Sequence, residues 1–501
     1  MAQKGKKQEA VVNRPKAPRS KPSRGVERRR VVTGSTAVSR INELLPNELL
    51  AYIFSTAIIT LLPKEHKSFL ALVCSICRRW RDVAIEASEL WTTIYIHHQK
   101  HIPAAELFLK RSKTQLLDVD IEVTFGRSFN EFRSRRDFGR QSGLRVAELL
   151  SAHLGRMRTL SLSVSDTLDA ENAEKFSTLY QLMSALHLVS LSVNVRRWSP
   201  GAPPFLNSIC SFHSNGNDGS SSSVALGSSL TRLELTSLTS AHLEHEDMRN
   251  IFMYSPFLET LILPKFGQCR GGDQEENWPI IFAPSSLRSL AVHLEYTHAE
   301  DDEFWNSAES PCPCVLGSVR FPNLEYLEVL GDNCSCNLNL SSHFKDLSGL
   351  KTLRLQRCSV PPLDDEFLRS LKLLNRLELA DNLNVVKWSP KSSCTKMSLP
   401  FPHLSSISLS DESSWDYDLT PWARLARLAV QDHGCTQFSI EVSAHLYGSM
   451  SQLFGPQDEQ IHIEARDHPP GLLYPLPPQK SFHWTYYYYD SDDDFGWDYD
   501  D

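Results

Sequence analysis

The sequence predicts a chain in two unlike parts, α+β/α/β in overall class. A small three-helix unit lies near the N-terminus, and a longer body of short strands joined by crossovers follows it. Three observations predict this. Apolar residues at helical spacing crowd residues 44–91. An apolar-x-x-apolar-x-apolar pattern returns eleven times between residues 116 and 430. The two ends of the chain are polar and of opposite charge.

The helical unit comes first. Pro46 suits the first turn of a helix, where its missing N–H costs nothing. Leu49, Leu50, Ile53 and Phe54 then fall on one helical face. Leu70, Val73, Cys74 and Cys77 form a second stripe, which Trp80 and Ala84 extend by another turn. Pro63 and the Lys64-Glu65-His66-Lys67 run are expected to separate the two helical stretches. Leu90, Trp91 and Ile94 close the unit. About fifty residues make only a small core, so a partner surface is expected to support it.

The order Leu45-Pro46-x-Glu48-Leu49, then Val73-Cys74, Arg78-x-Trp80 and Leu90-Trp91-x-x-Ile94 resembles the F-box. That is a helical module that docks its owner onto an adaptor and performs no chemistry. The resemblance implies a module over residues 39–98, with adaptor binding through Leu45, Pro46, Leu49, Ile53, Phe54, Val73, Trp80 and Trp91. Two departures stand out: the long Ser55–Ser68 connection, and Cys77 before the Arg-x-Trp.

In the body the recurring pattern starts at Leu116, Met157, Leu188, Leu230, Leu258, Leu287, Leu324, Leu350, Leu374, Leu404 and Leu425. Its last two apolar positions alternate, so each copy reads as a short strand with one buried face. Helix-like stretches lie between: 171–187 with Phe176, Leu179, Tyr180, Met183 and Leu186, and 364–374 with Phe367, Leu368, Leu371 and Leu374. This alternation resembles leucine-rich repeats, which predicts an irregular solenoid over residues 99–465. Two copies carry the fuller consensus, with Cys358 and Asn382 at the ninth position. Stretches 196–228, 297–322 and 384–402 read as surface insertions.

Between the apolar strand positions runs a middle strip: Asp120, Ser161, Ser192, Glu234, Ile262, Ala291, Glu328, Arg354, Glu378, Ser408 and Ala429. It is expected to be a solvated, mildly acidic surface. Asp120, Glu234, Glu328, Arg354 and Glu378 are the candidate substrate-binding residues.

Composition narrows the function further. Residues 1–40 hold twelve Lys/Arg and two Glu, while residues 481–501 hold seven Asp and no Lys/Arg. With a net charge of −8, the body between is about −11 and offers no general attraction for nucleic acid. The tails 1–38 and 466–501 read as disordered, the second with a Pro-rich linker or strap at 468–478. No apolar stretch follows the basic start as in a secretory signal, and Leu49–Leu62 is too short to span a membrane. Eleven cysteines are expected to be reduced thiols of the cytoplasm or nucleus.

No phosphate loop, dinucleotide fingerprint, HExxH or GxSxG is present. Cys312, Cys314, Cys334 and Cys336 lack the usual zinc-ligand spacing, and Cys74 and Cys77 fit a packed helix better than a redox pair. No catalytic residue, metal or cofactor is expected. His97, His98 and His101 read as solvated.

The resemblance implies a substrate receptor of a Skp–cullin–F-box ubiquitin ligase. Its partners would be a Skp-type adaptor, a cullin–RING assembly behind it, and a protein target on the repeat body. A scaffold without a target, or a nucleic-acid-associated regulator using the basic arm, is the alternative.

Overall fold

The structure is a computed structural model. It describes residues 44–123, 140–168, 187–198, 229–236, 245–267, 279–295, 315–331, 346–357, 370–380, 401–410, 418–433, 435–466 and 471–472, with Leu179, Leu182, Leu340 and Phe344. The tail 1–38, the acidic end from 473, Cys312, Cys314, Cys334, Cys336, Cys358 and Asn382 lie outside these residues.

The helical unit is built from α1 (Asn47–Ile59), α2 (Pro63–Ile76) and α3 (Arg78–Glu86). Pro46 stands just before α1, and its carbonyl accepts the Leu50 N–H. The break between α1 and α2 is tighter than the charge run suggested. Pro63 opens α2, the Lys64–Lys67 run is its first turn, and the Glu65 carboxylate accepts the Leu62 N–H at 3.1 Å. The second stripe does not continue unbroken through Trp80. Cys77 is extended, and its Sγ accepts the Trp80 N–H at 3.5 Å, capping α3.

The unit runs directly into the sheet. After a short turn at Ser88–Trp91, strand β1 (Thr93–Ile96) pairs in parallel with β2 (Leu117–Val123), and α4 (Ile102–Arg111) forms the crossover. A parallel pair needs such a return path. Trp91 locks the joint. Its ring stands edge-on to Phe108 of α4 at 4.9 Å, the Arg111 guanidinium lies 4.3 Å over it, and its Nε1 donates to the Ala84 carbonyl at 2.7 Å. A boundary drawn at residue 98 therefore falls just after the sheet's first strand.

The body continues with α5 (Arg140–Ser151), β3 (Met157–Leu168), β4 (Ser190–Trp198), β5 (Arg232–Thr236), α6 (His245–Tyr254) and β6 (Thr260–Gly267). Then come β7 (Ile281–Phe282), β8 (Ser289–Glu295), β9 (Val319–Arg320), β10 (Tyr326–Gly331), β11 (Thr352–Gln356), β12 (Arg376–Ala380) and β13 (Ser406–Ser410). The last elements are α7 (Thr420–His433), β14 (Phe438–Val442), α8 (Ala444–Gln452) and β15 (Ile461–Ala465). Among the described residues, thirteen strands form one sheet in chain order, every neighbouring pair parallel. Only β7 and β9 step aside, as a separate parallel pair.

The backbone repeats with the strands. The carbonyl just ahead of one strand accepts two N–H groups from the residues that start the next. Val189 receives Thr231 and Arg232, Glu259 receives Arg288 and Ser289, Glu325 receives Lys351 and Thr352, and Asn375 receives Ser405 and Ser406. The pattern leucines fill the interior: Leu258, Leu261, Leu263, Leu350, Leu353 and Leu374 are all fully buried. Removing one such side chain costs about 2–5 kcal/mol.

Several expectations change. In the first copy only the leading position differs: Leu117 is buried and pairs with Met157 while Leu116 is exposed, and Val119 and Ile121 are buried in the expected register with Leu160 and Leu162. The copy at Leu425, Leu428 and Val430 is not a strand but part of α7. There Trp422, Leu425, Ala426 and Ala429 share the buried face at helical spacing. The strand of that unit is β14, and β15 follows it. The stretch 297–322 is not wholly an insertion, since Val319 and Arg320 form β9 and Phe321 is buried. In stretch 171–187, Leu179 and Leu182 are buried.

Candidate binding surfaces

Two surfaces and the joint between them carry the chemistry. On α1 the sequence stripe divides. Leu50, Phe54 and Ile58 face inward, while Leu49, Tyr52 and Ile53 face solvent, with Leu49 and Ile53 each 48% exposed. Leu72 and Ile76 are exposed one turn apart on α2. Of the expected adaptor-binding residues, Pro46, Leu49 and Ile53 are therefore exposed and Leu45 and Trp80 half-buried. Phe54, Val73 and Trp91 are buried, so they shape the surface from behind and do not line it. The rings of Phe54 and Trp80 pack 5.1 Å apart.

Arg79 is a supporting residue that the pattern did not mark. Its guanidinium donates to Asn47 Oδ1 at 2.9 and 3.1 Å and to the Leu45 carbonyl, tying α3 to the start of α1. The signal that would have found it is its place beside Trp80, where the helix turns its guanidinium toward the Leu45-Pro46 corner.

The second surface is the middle strip of the sheet. Its residues share one register row: Tyr95, Asp120, Ser161, Ser192, Glu234, Ile262, Ala291, Glu328, Arg354, Glu378, Ser408, Glu441 and Glu464. Glu441 takes the place expected for Ala429, which is buried in α7. The expectation of a solvated strip holds for Asp120 and Glu234, which keep partial access to water, and fails for the other three candidates. Glu328, Arg354 and Glu378 are all buried.

Burial is tolerated because the charges alternate. Arg354 lies between two carboxylates, with its Nη1 3.0 Å from Glu378 Oε2 and its Nε 3.7 Å from Glu328 Oε1. Arg376 meets Glu378 at 2.5 Å and grips Glu441 with two nitrogens at 2.6 and 3.1 Å. Arg466, just after β15, reaches the same Glu441 at 2.9 Å. Hydrogen bonds to Glu441 first, then Glu378, raise the Arg376 pKa against the effect of burial. Burial pushes the Glu441 carboxyl up, but Arg376 and Arg466 more than offset it and hold it below the usual range. The Tyr326 hydroxyl donates to Glu328 Oε2 at 2.8 Å, and burial together with that carboxylate raises its pKa. It therefore stays a donor.

The joint holds a histidine cluster that is not simply solvated. The His97 ring stacks on Tyr95 at 3.5 Å and sits between the carboxylates of Glu122 and Asp120, the latter 3.7 Å away. Burial opposes its charge, but the two carboxylates prevail and raise its pKa. His101 behaves oppositely. Burial first, then the nearby His98, Lys67 and Lys100, lower it to about 4. Being neutral, its Nδ1 accepts the His97 backbone N–H at 3.2 Å.

Among the described residues, no group of His, Cys, Asp and Glu is arranged to hold a metal ion, and no helix is long and apolar enough to cross a membrane. Cys74 and Cys77 are free thiols, and burial raises the Cys74 pKa. The described residues thus present an exposed apolar helix face and a row of paired charges.

Comparison with known proteins bears on the helical unit. The F-box-like family profile matches residues 43–97. A search of curated proteins finds no match to the chain. Residues 43–97 thus form an F-box-like domain, a kind of module that in general is non-catalytic and binds Skp-type adaptors.

Proposed function

We propose that this protein is the substrate receptor of a Skp–cullin–F-box ubiquitin ligase in the cytoplasm or nucleus. The F-box-like domain binds the adaptor, and the body presents a protein target. The single observation that carries the reading is the exposed Leu49–Ile53 face inside a segment that matches the F-box-like family. Large apolar side chains exposed at helical spacing mark an interaction site better than a stability device. The chain brings no chemistry of its own to this task. Ubiquitin transfer would be done by partners, and the receptor's share is proximity and orientation.

We read the body as a divergent leucine-rich-repeat solenoid. Strands in chain order, buried pattern leucines and the recurring two-donor carbonyl support that reading. In such an array each unit buries its apolar face against its neighbours, which leaves one broad sheet face for a partner.

The test is co-purification of the tagged chain from its own cell type beside a Leu49→Asp/Ile53→Asp form. Both positions are half exposed, so the double change reports on binding and not on folding. Adaptor and cullin retained by the intact chain and lost from the variant support the reading. Proteins retained by both forms are then target candidates. If the intact chain retains neither ligase subunit, the receptor reading fails.

A further inference from the structure

We propose that the Glu328–Arg354–Glu378 row is a site for a peptide segment carrying a glycine, and that the chain's own Gly471–Leu472 segment occupies it as a built-in competitor. The idea rests on the reading of the sheet face as a target-binding surface.

Two described residues of the Pro-rich stretch after β15 lie on the charged row. The Leu472 N–H donates to Glu328 Oε2 at 2.6 Å, across 144 residues of sequence. Gly471 is buried against the same pair of side chains. A Cβ there would stand 2.5 and 2.8 Å from the two Glu328 oxygens and 2.9 Å from Arg354 Nε. At such separations something must move, and because Glu328 and Arg354 are buried and held by Tyr326 and Glu378, a side chain at 471 is expected to lift the segment off the row. Just ahead of that stretch, directly after β15, Arg466 meets Glu441 of the same row.

The contact is chemically generic. A carboxylate accepts a backbone N–H, a charge-assisted bond, beside a floor that excludes any side chain. Any segment with glycine followed by a residue bearing an N–H offers the same groups. A target presenting that sequence would displace the chain's own segment, and a site that is mostly self-occupied shows a weaker apparent affinity in proportion to its free fraction.

The test uses the full-length chain and a labelled peptide matching residues 466–478. Two separate changes in the chain release the segment by different routes: Gly471→Val adds bulk, and Leu472→Pro removes the donor. Each is expected to raise affinity for the added peptide by about 10- to 100-fold over the unaltered chain, the range for a site about 1–10% free. A peptide carrying the same Gly471→Val change should bind neither form. Equal affinity of released and unaltered chains, or equal binding of the altered peptide, would overturn the proposal. If both chain variants unfold, the segment is a permanent cap and the proposal is likewise overturned. The target-receptor reading is separately exposed: peptide exchange with no captured target sinks that reading and leaves the competitor intact.

Discussion

The helical unit and the charged end of the sheet treat their conspicuous residues in opposite ways. On α1 half of an apolar stripe is left outside, with Leu49 and Ile53 in water while Phe54 is buried. In β10 to β12 the charges go inside, with Glu328, Arg354 and Glu378 removed from solvent. Exposed apolar surface and buried charge both cost free energy unless something covers the first and pairs the second. In the sheet the pairing is internal, down to the Leu472 backbone. On α1 nothing among the described residues covers the face, which suits an external partner.

The largest way to break this contrast is at the charged row. Arg354→Ala would remove the cation between the buried carboxylates of Glu328 and Glu378, leaving Glu378 with Arg376 alone. A loss of about 3–5 kcal/mol is expected in urea unfolding. A loss below about 1 kcal/mol would mean that the row is hydrated and its pairing unimportant.

The helical unit should split between neighbours. Phe54→Ala removes a buried ring packed on Trp80 and is expected to cost about 3–5 kcal/mol. Leu49→Asp, five residues away on the exposed face, should change stability by no more than about 0.5 kcal/mol. Thermal unfolding of the two variants side by side checks this. Comparable losses would show that the Leu49 face is core and not a docking surface.

The smallest expected effect is a pH dependence at the joint. The His97 pKa is raised above its unfolded value of 6.5, so its contribution is fully present below about pH 6.5 and is lost as pH rises through the folded value. His101 is lowered to about 4, so its contribution is present above about 6.5 and fades as pH falls toward 4. Glu122, held low by its bond to His97, likewise loses its share as pH falls through its folded pKa. His97→Gln should therefore destabilise the chain more at pH 6 than at pH 8. A variant whose deficit is flat across that range would remove His97 from the account. The ring-proton titration of His97 by NMR gives the same answer directly.

Much of the sheet was legible because one burial rule repeats. A leucine ahead of each strand and two alternating apolar positions within it place Leu258, Leu261 and Leu263 as surely as Leu404, Ile407 and Leu409. The rule misled where it coincided with another period. Leu425 and Leu428 fit the strand pattern, yet Trp422, Ala426 and Ala429 complete a helical face around Leu425, and α7 results. Strands β1, β14 and β15 went unread because they lack the leading leucine, with Trp91, Gln437 and Gln460 in its place. The helical unit was legible as three helices and an ordered motif, but not as a surface. A stripe wide enough to hold both Leu49 and Phe54 does not say which edge faces water.

The sequence by itself determined the two-part plan, the helical module, the strand register and hence the row in which Glu328, Arg354 and Glu378 stand. Those follow from local periodicity, which a linear chain displays. Only the tertiary structure decided that the module's last residues are the sheet's first strand, that His97 meets Asp120 and Glu122, and that Gly471 and Leu472 rest on Glu328. Each of those depends on residues distant in sequence, up to 144 positions apart, and no local pattern records which pairs the fold brings together.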